Sequence, residues 1–254
     1  MATRQHKPSI IVLSGSSSAG KSTLLYLLTE IFSPIFTIQL DDFCKEFEFL
    51  PVRPNKGGLD GDAADSIDFD AFNKTLHYCW ELEKMPDGFQ SWQDLAEVKR
   101  AKKTALAKVD PVLMEEMRKM MLEEFGEREN FGIVDGFLLY LQPSRVHDTP
   151  LSFKLFIRIS KLTALARRMA RPGYGDPNSK DFWRTPEYFE ECVWGNYVKE
   201  HAWLFHAGDV EGEPNEEVCG REHILMQPKI DATVEETFKW AVTAITEEAK
   251  KLRI

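Results

Sequence analysis

The stretch GSSSAGKST, Gly15–Thr23, constrains the possible fold more than any other segment of the chain. It follows the compact apolar run Ile10–Leu13 and overlaps the start of Lys21–Phe32, where apolar residues recur at helical spacing. In the pattern G-x-x-x-x-G-K-[ST] the glycines let successive N–H groups turn toward phosphate oxygens, and the helix that follows presents its positive end to the same anion. The sequence therefore predicts a strand, a phosphate-binding loop and a helix, in that order.

The fixed positions of this loop match the needs of a nucleoside triphosphate bound with magnesium. Lys21 is expected to reach the β- and γ-phosphates, and the hydroxyl of Ser22 is expected to ligate Mg²⁺. The flanking strand and helix argue against a chance match in a turn rich in Gly and Ser. The ATP-binding residues predicted in this loop are Gly15, Ser16, Ser17, Ser18, Ala19, Gly20, Lys21, Ser22 and Thr23.

The acidic balance of the chain bears on its partners. Its 32 basic and 41 acidic residues give a formal net charge of −9, which argues against nucleic acid or an anionic membrane as the main partner and favours small ligands. The loop indicates a nucleoside triphosphate as one of them, and a family resemblance of later motifs implies a small-molecule nucleoside as the other. Four widely spaced cysteines without a C-x-x-C pair are typical of reduced thiols in an intracellular protein. Because the N-terminus is polar and no apolar run reaches the length of a membrane span, we expect a soluble, cytoplasmic protein. The oligomeric state is left open.

Strands and helices alternate along the chain. Further strands are expected at Pro34–Leu40, in the run FGIVD that ends at Asp135, and at Phe153–Ser160. Further helices are expected at Ile67–Leu82, at Pro111–Phe125, in the basic run LTALARRMAR, at Pro186–Phe205 and at Thr233–Lys251. This alternation predicts an α/β protein with the P-loop NTPase fold, in which helices cover both faces of a mostly parallel sheet and a helical lid is added.

Acidic residues stand where phosphoryl transfer would need them. A kinase requires a carboxylate to orient or deprotonate the acceptor hydroxyl, a second acidic group near magnesium, and mobile arginines. Asp41 and Asp42 follow the second expected strand and Asp135 ends the third, so all three are expected at the sheet edge where open α/β folds bind ligands. Turns or helix caps are the alternative explanation for these carboxylates.

Three arginines on the basic helix complete the set: Arg167, Arg168 and Arg171. A solvated helix face is their alternative explanation, but the coincidence with the acidic residues favours an active site. A regulatory GTPase would need Asn-Lys-x-Asp after a later strand, whereas the tetrapeptide at 55–58 ends in Gly and lies too early. We therefore expect a single P-loop kinase domain over residues 1–254, with a substrate-binding loop at 45–66, an insertion without assigned structure at 84–108, and a lid region at 160–182.

Six motifs follow one another along the chain: SGSSSAGKST, QLDDF, IVDGFLL, ARRMARPGY, DFWRTPEYFEECVWGNYV and GDVEG. In this order they resemble the nicotinamide riboside kinases, particularly the fungal members of this uridine-kinase-like branch of P-loop kinases. The resemblance covers about Ile10–Gly212. The first motif is shared by many kinases, whereas the later ones in this order are more specific.

The resemblance implies transfer of the γ-phosphoryl group of ATP to the 5′-hydroxyl of nicotinamide riboside, with Mg²⁺, to give nicotinamide mononucleotide for NAD synthesis. In the family's pattern Asp41 matches the general base, Asp62 the residue that binds the ribose 2′ and 3′ hydroxyls, and Tyr174 an aromatic residue that packs on the nicotinamide ring. The predicted catalytic residues are Lys21, Asp41, Arg167 and Arg171; Arg167 and Arg168 also bind ATP; Asp41, Asp42, Asp62, Asp135 and Tyr174 bind substrate; and Ser22 and Asp135 hold the metal.

One position departs from the family's pattern. Where the family has an aromatic residue immediately before the ribose-binding aspartate, this chain has Gly61, and the Pro-Glu-Ala that commonly follows is replaced by Ala64-Asp65-Ser66. One stacking face for the base is therefore missing at this position. A kinase for uridine, cytidine or another small alcohol, and a non-catalytic nucleotide-binding relative, remain as alternatives.

Overall fold

A computed structural model describes residues 7–53, 58–92, 94–126, 130–146, 149–171 and 182–252. The strands are β1 (Ser9–Gly15), β2 (Phe36–Gln39), β3 (Phe131–Asp135), β4 (Phe153–Ile157) and β5 (Ile224–Met226). The helices are α1 (Lys21–Ile31), α2 (Phe69–Leu82), α3 (Leu95–Leu106), α4 (Pro111–Phe125), α5 (Lys161–Met169), α6 (Pro186–Tyr188), α7 (Gly195–His201), α8 (Glu216–Arg221) and α9 (Val234–Leu252). No helix within these ranges is both long enough and apolar enough to span a membrane.

The five strands form one parallel sheet in the order β2-β3-β1-β4-β5. Strands β1 and β3 are buried throughout apart from the first residue of β1, as expected of central strands that are covered on both faces. The prediction of a parallel α/β sheet is therefore confirmed.

Helices cover both faces of this sheet, as predicted. Phe153 and Phe156 are three residues apart in β4, so their side chains lie on opposite faces. Phe153 packs against Phe125 of α4, with ring centroids 5.9 Å apart. Phe156 packs against Tyr197 of α7, with centroids 6.2 Å apart.

Some element boundaries differ from the sequence prediction. Strand β4 ends three residues before Ser160, because the Ser160 hydroxyl accepts a hydrogen bond from the Thr163 N–H and thereby caps α5. The expected helix at 186–205 is helical up to Leu204, but it is divided into α6, a π-helix at Phe189–Trp194, α7 and a short 3₁₀ turn. The insertion contains α3, while β5 and α8 had no clear sequence signal.

The strand order fixes what lies along the carboxyl edge of the sheet. From one side to the other, this edge carries Asp41 after β2, Asp135 at the end of β3, the phosphate loop after β1, helix α5 after β4 and residues 227–233 after β5. Ligands of open α/β sheets bind outside this edge. The fold thus places the predicted site residues that end or follow the first four strands of the chain along one line.

Candidate active site

The loop after β1 forms a cradle of backbone groups. Gly15 has φ +138° and Gly20 has φ +107°, and a Cβ at Gly15 would stand 2.4 Å from the carbonyl oxygen of Ile157. Only glycine adopts such conformations freely, so both positions depend on it. Lys21 Nζ donates to the carbonyl oxygens of Gly15 and Ser16 at 3.1 and 3.0 Å. Burial lowers the pKa of Lys21, although Asp135 and Asp41 raise it.

Asp135 and Ser22 meet beside this lysine. The Ser22 hydroxyl donates to Asp135 Oδ2 at 2.8 Å, so the end of β3 and the start of α1 contribute one oxygen-rich pair. Asp135 is only 5% exposed. Burial raises its pKa to about 6, although Lys21 and the Ser22 hydrogen bond act in the opposite direction.

Asp41 lies in the 3₁₀ turn Leu40–Phe43 that follows β2. Its side chain is exposed to the same cavity that Lys21 and Asp135 line. The surrounding protein raises its pKa by desolvation, against the lowering effect of Lys21 and Arg171. No residue in the described ranges donates a hydrogen bond to its carboxylate, which therefore faces the cavity ready to accept one.

Asp42, predicted to bind substrate, does not line this cavity. Its Oδ1 accepts hydrogen bonds from the Ser91 hydroxyl at 2.7 Å and from the Trp92 N–H at 3.0 Å. Successive residues of a 3₁₀ turn point about 120° apart, so only one of two adjacent aspartates can face the cavity. Asp42 instead anchors the start of the 84–108 insertion.

Asp62 lines another wall of the same cavity and lies in a loop that two side chains hold. The Tyr188 hydroxyl accepts from the Gly61 N–H at 2.9 Å and donates to Asp62. Asn196 Nδ2 donates to both carboxylate oxygens of Asp60 at 3.1 and 2.9 Å. Burial raises the pKa of Asp62, although Arg168 and the Tyr188 hydrogen bond lower it.

The three predicted arginines reach the phosphate loop. Arg168 is 5% exposed and donates to Ser17 Oγ at 2.9 Å, and its Nη2 lies 3.9 Å from Asp62 Oδ2. It therefore connects the phosphate loop with the loop that holds Asp62.

The other two arginines approach the turn of the loop. Arg167 donates to the carbonyl oxygens of Ser18 and Ala19, each at 3.4 Å, and Arg171 donates to Ser18 Oγ at 3.0 Å. Helix α5 ends at Met169, so Arg171 lies in the turn beyond it and not on the basic helix, where the sequence predicted it. Both guanidinium groups nevertheless reach Ser18.

Helix α5, which carries Arg167 and Arg168, is anchored at its N-terminus by a residue of the β5–α9 loop. Asp231 accepts from the Ser160 N–H and from the Thr163 hydroxyl, both at 2.9 Å. Asp231 has φ +56°, in the left-handed region that residues other than Gly rarely adopt. Such a conformation persists where the surrounding contacts fix it, which points to a positioning role for Asp231.

We expect Asp231→Ala to lower kcat about tenfold, because the arginines lose part of their positioning. The loss of a helix-capping carboxylate costs about 1 kcal/mol and should lower Tm by about 2–4 °C. Asp68→Ala is the matched control, since Asp68 caps α2 by accepting from the Ala71 N–H at 2.9 Å. Steady-state kinetics with thermal melts should show a similar loss of Tm in both variants but a loss of kcat in Asp231→Ala alone. An equal effect on kcat would refute the positioning role.

The cavity that joins these groups has a volume of about 910 Å³. It is lined by most of the predicted site residues: Ser17, Ser18, Ala19, Gly20, Lys21, Ser22, Thr23, Asp41, Asp62, Asp135, Arg167, Arg168 and Arg171. Gly15 and Ser16 lie in the loop but not on the cavity wall, and Tyr174 lies outside the described residues. The structure thus brings together residues from five separate parts of the sequence.

The cavity also includes residues that sequence reasoning missed: Cys44, Phe47, Leu50, Phe137, Trp183 and Tyr188. Trp183 packs on the core and also lines the cavity. The aromatic density of 182–205 was the available signal for Tyr188, but its partner Gly61 is 127 residues away.

Comparisons with known proteins were made for the whole chain. No protein-family model matches it. A nicotinamide riboside kinase of Schizosaccharomyces pombe is 30% identical over 240 residues, which cover 94% of this chain and 96% of the relative. A nicotinamide riboside kinase of Saccharomyces cerevisiae is 28% identical over 208 residues, covering 80% and 81%, and one of Eremothecium gossypii is 26% identical over 213 residues, covering 80% and 79%.

Among solved structures, the crystal structure of TT1252 from Thermus thermophilus matches with 17% identity over 96% of this chain and 98% of that chain. Its TM-score is 0.37.

Proposed function

The chain belongs to the nicotinamide riboside kinase family, and we propose that it transfers the γ-phosphoryl group of ATP to the 5′-hydroxyl of nicotinamide riboside, forming nicotinamide mononucleotide for NAD synthesis. The observation that supports this most is the placement of Asp41, which faces a cavity shared with the phosphate cradle and Lys21. A carboxylate in that place can accept the proton of a hydroxyl that attacks the terminal phosphorus. Action in the cytoplasm remains a prediction from the sequence.

The chain's own groups account for most of the chemistry by positioning and electrostatics. The loop N–H groups and Lys21 hold the β- and γ-phosphates. Asp41 accepts a hydrogen bond from the acceptor hydroxyl, and its raised pKa makes it a better base than an ordinary aspartate. Arg167 and Arg171, close to Ser18, compensate the charge on the phosphoryl group that moves.

Ser22 and Asp135 fit a magnesium site. They offer a hydroxyl and a carboxylate oxygen 2.8 Å apart, which are hard oxygen ligands. In the described part of the chain there is no group of three or more His, Cys, Asp or Glu side chains suited to a metal. Mg²⁺ commonly takes only one or two protein ligands and completes its shell with phosphate and water, so a small donor set is suitable. The ion, when bound, neutralises charge on the β- and γ-phosphates.

Asp62 is proposed to bind the ribose hydroxyls of the acceptor. Its carboxylate is held by Tyr188 and lies near Arg168, on the same cavity as Asp41. We assign the nicotinamide ring to the apolar side chains of this end, which include Phe47 and Leu50. Tyr174 remains a proposed contact of that ring on the basis of the family resemblance.

Gly61→Trp is expected to lower the KM for nicotinamide riboside about fivefold. A Cβ at Gly61 would meet Tyr188 Oη at 3.5 Å and Leu50 Cδ1 at 3.9 Å, both ordinary contact distances, so the backbone there accepts a Cβ without a clash, and Gly61 itself lines the cavity. An added aromatic face contributes about 1 kcal/mol. Steady-state kinetics with both substrates varied should show an unchanged KM for ATP. An unchanged or raised KM for the riboside would mean that the ring is held elsewhere.

The second candidate is a kinase for a different nucleoside, and Gly61 is the observation that favours it. A turnover assay with coupled ADP detection should compare nicotinamide riboside with uridine and cytidine at equal concentration. We expect the highest kcat/KM for nicotinamide riboside. Faster turnover of a pyrimidine nucleoside would replace the proposed acceptor, and ATP binding without turnover of any riboside would indicate a non-catalytic relative.

A further inference from the structure

The insertion 84–108 is held at two places next to the cavity, one at its start and one just past its end. Its start is held through Asp42, which neighbours Asp41 and binds Ser91 and Trp92. Just past its end, the Asp110 N–H donates to Glu235 Oε1 at 2.8 Å, in the first turn of α9. The segment therefore extends from the residue beside the proposed base to the helix that follows β5.

These two attachment points lie at opposite ends of the carboxyl edge of the sheet. Asp41 follows β2, the outermost strand on one side, whereas α9 follows β5, the outermost strand on the other. The phosphate loop follows β1 in the middle. Because the acceptor carboxylates occupy the β2–β3 end, the nucleoside of the phosphoryl donor must extend from the phosphate loop toward the β5 end.

Between its two attachment points, the insertion contains helix α3, which packs along α1. Lys102 Nζ lies 3.2 Å from Glu30 Oε2, and Ala105 and Val109 are buried. This packing places two other residues of the insertion, Ala101 and Lys108, on the wall of the cavity. Both are exposed to it.

At the β5 end the remaining wall is formed by Thr23 of α1 with Ala232, Val234 and Thr237 at the start of α9. These side chains are small or aliphatic and offer a surface for a planar base. Lys108 is the cation that the insertion brings to this end of the cavity, and an ammonium group donates to ring nitrogens, carbonyl oxygens or ribose hydroxyls.

We propose that the insertion 84–108 forms one wall of the donor nucleoside site, with Ala101 lining the space for the base and Lys108 donating a hydrogen bond to the nucleoside. This inference rests on the proposed function in that the cavity is taken to hold a nucleoside triphosphate. It makes donor affinity depend on a segment that lies outside the phosphate loop and the arginine helix.

The first test is Lys108→Ala, with Lys103→Ala as the matched control. Lys103 lies in the last turn of α3, five residues before Lys108, and is exposed, but it does not line the cavity. Binding of a non-hydrolysable ATP analogue, measured by titration calorimetry, should weaken about tenfold in Lys108→Ala and stay within twofold of the parent in Lys103→Ala. Unchanged analogue affinity in Lys108→Ala, or an equal loss in the control, would overturn the assignment of Lys108.

The second test fills the proposed space. Ala101→Trp should weaken analogue binding at least tenfold, because the indole occupies the volume of the base, while Ala107→Trp should not. Ala107 is exposed at the end of α3 and does not line the cavity. The KM for nicotinamide riboside should stay within twofold in Ala101→Trp. Equal analogue affinity of the two tryptophan variants would refute the proposal that Ala101 lines the space for the base. If Ala101→Trp fails to fold, the comparison of Lys108→Ala with Lys103→Ala tests the proposal.

Donor binding and turnover are separate measurements here. Analogue binding needs no acceptor, so the inference about the insertion is tested even in a protein that phosphorylates no riboside. Conversely, absence of nicotinamide riboside turnover with intact analogue binding would refute the proposed function. It would not contradict the proposal that the insertion forms one wall of the donor nucleoside site.

Discussion

Replacing Asp41 by Asn is expected to lower kcat for riboside phosphorylation by about 10²- to 10⁴-fold, the usual contribution of a positioned general base. The substitution keeps the shape of the side chain but removes its ability to take a proton. Asp41 faces the cavity and accepts no hydrogen bond from a described residue, so its loss leaves no partner unsatisfied. Stability should therefore change little, and the affinity for an ATP analogue should stay close to that of the parent protein.

Glu46→Gln is the control for Asp41→Asn. Glu46 lies five residues further along, is exposed and does not line the cavity, so the same loss of one negative charge should leave kcat unaltered. Single-turnover kinetics at saturating ATP separate the chemical step from product release. Robust turnover by Asp41→Asn would remove Asp41 from the role of base.

Replacing Lys21 by Met is expected to lower kcat/KM for ATP by at least about 10²- to 10³-fold, the loss typical of one removed electrostatic stabiliser. Lys21 lies on the cavity wall, and its ammonium group donates hydrogen bonds to two carbonyl oxygens of the phosphate loop. When ATP binds, the ammonium group would donate to phosphate oxygens instead. Unlike Asp41→Asn, this variant should lose ATP-analogue affinity as well as turnover.

The melting temperature of Lys21→Met is a second readout, and unlike the activity it is not expected to fall strongly. Burial lowers the pKa of Lys21, which means that its charge is poorly solvated in the folded protein. Methionine relieves that penalty but also removes the cation beside the carboxyls of Asp135 and Asp41, so these two effects oppose each other and Tm should change little despite the large loss of activity. Lys74→Met, at an exposed position of α2, should alter neither activity nor Tm. Parent-like ATP affinity in Lys21→Met would contradict the assignment of the phosphate cradle.

The local part of the site could be predicted from the sequence because its residues are close together in the chain. The phosphate loop needs only Gly15 and Gly20 to adopt their conformations between a strand and a helix, and each of these features has a sequence signal. The placement of Asp41 and Asp135 followed from the rule that parallel strands end at the same edge.

What the sequence left undetermined depends on packing between distant segments. The choice between Asp41 and Asp42 is made by the 3₁₀ turn that contains both, and Asp42 is held by an insertion 49 residues away. The hydroxyl of Tyr188 reaches the acceptor loop from a helical region that periodicity alone describes as core. The three-residue β5 is too short to give a pattern, although the loop after it closes the donor end.

The central claim is that the acceptor hydroxyl lies between Asp41 and the terminal phosphate held by Lys21. A crystal structure with a non-hydrolysable ATP analogue, Mg²⁺ and nicotinamide riboside measures this arrangement directly. We predict that the 5′-hydroxyl oxygen lies about 2.6–3.2 Å from a carboxylate oxygen of Asp41 and about 3–3.5 Å from the γ-phosphorus. A riboside whose 5′-hydroxyl contacts another residue, with Asp41 out of hydrogen-bonding distance, would contradict the account.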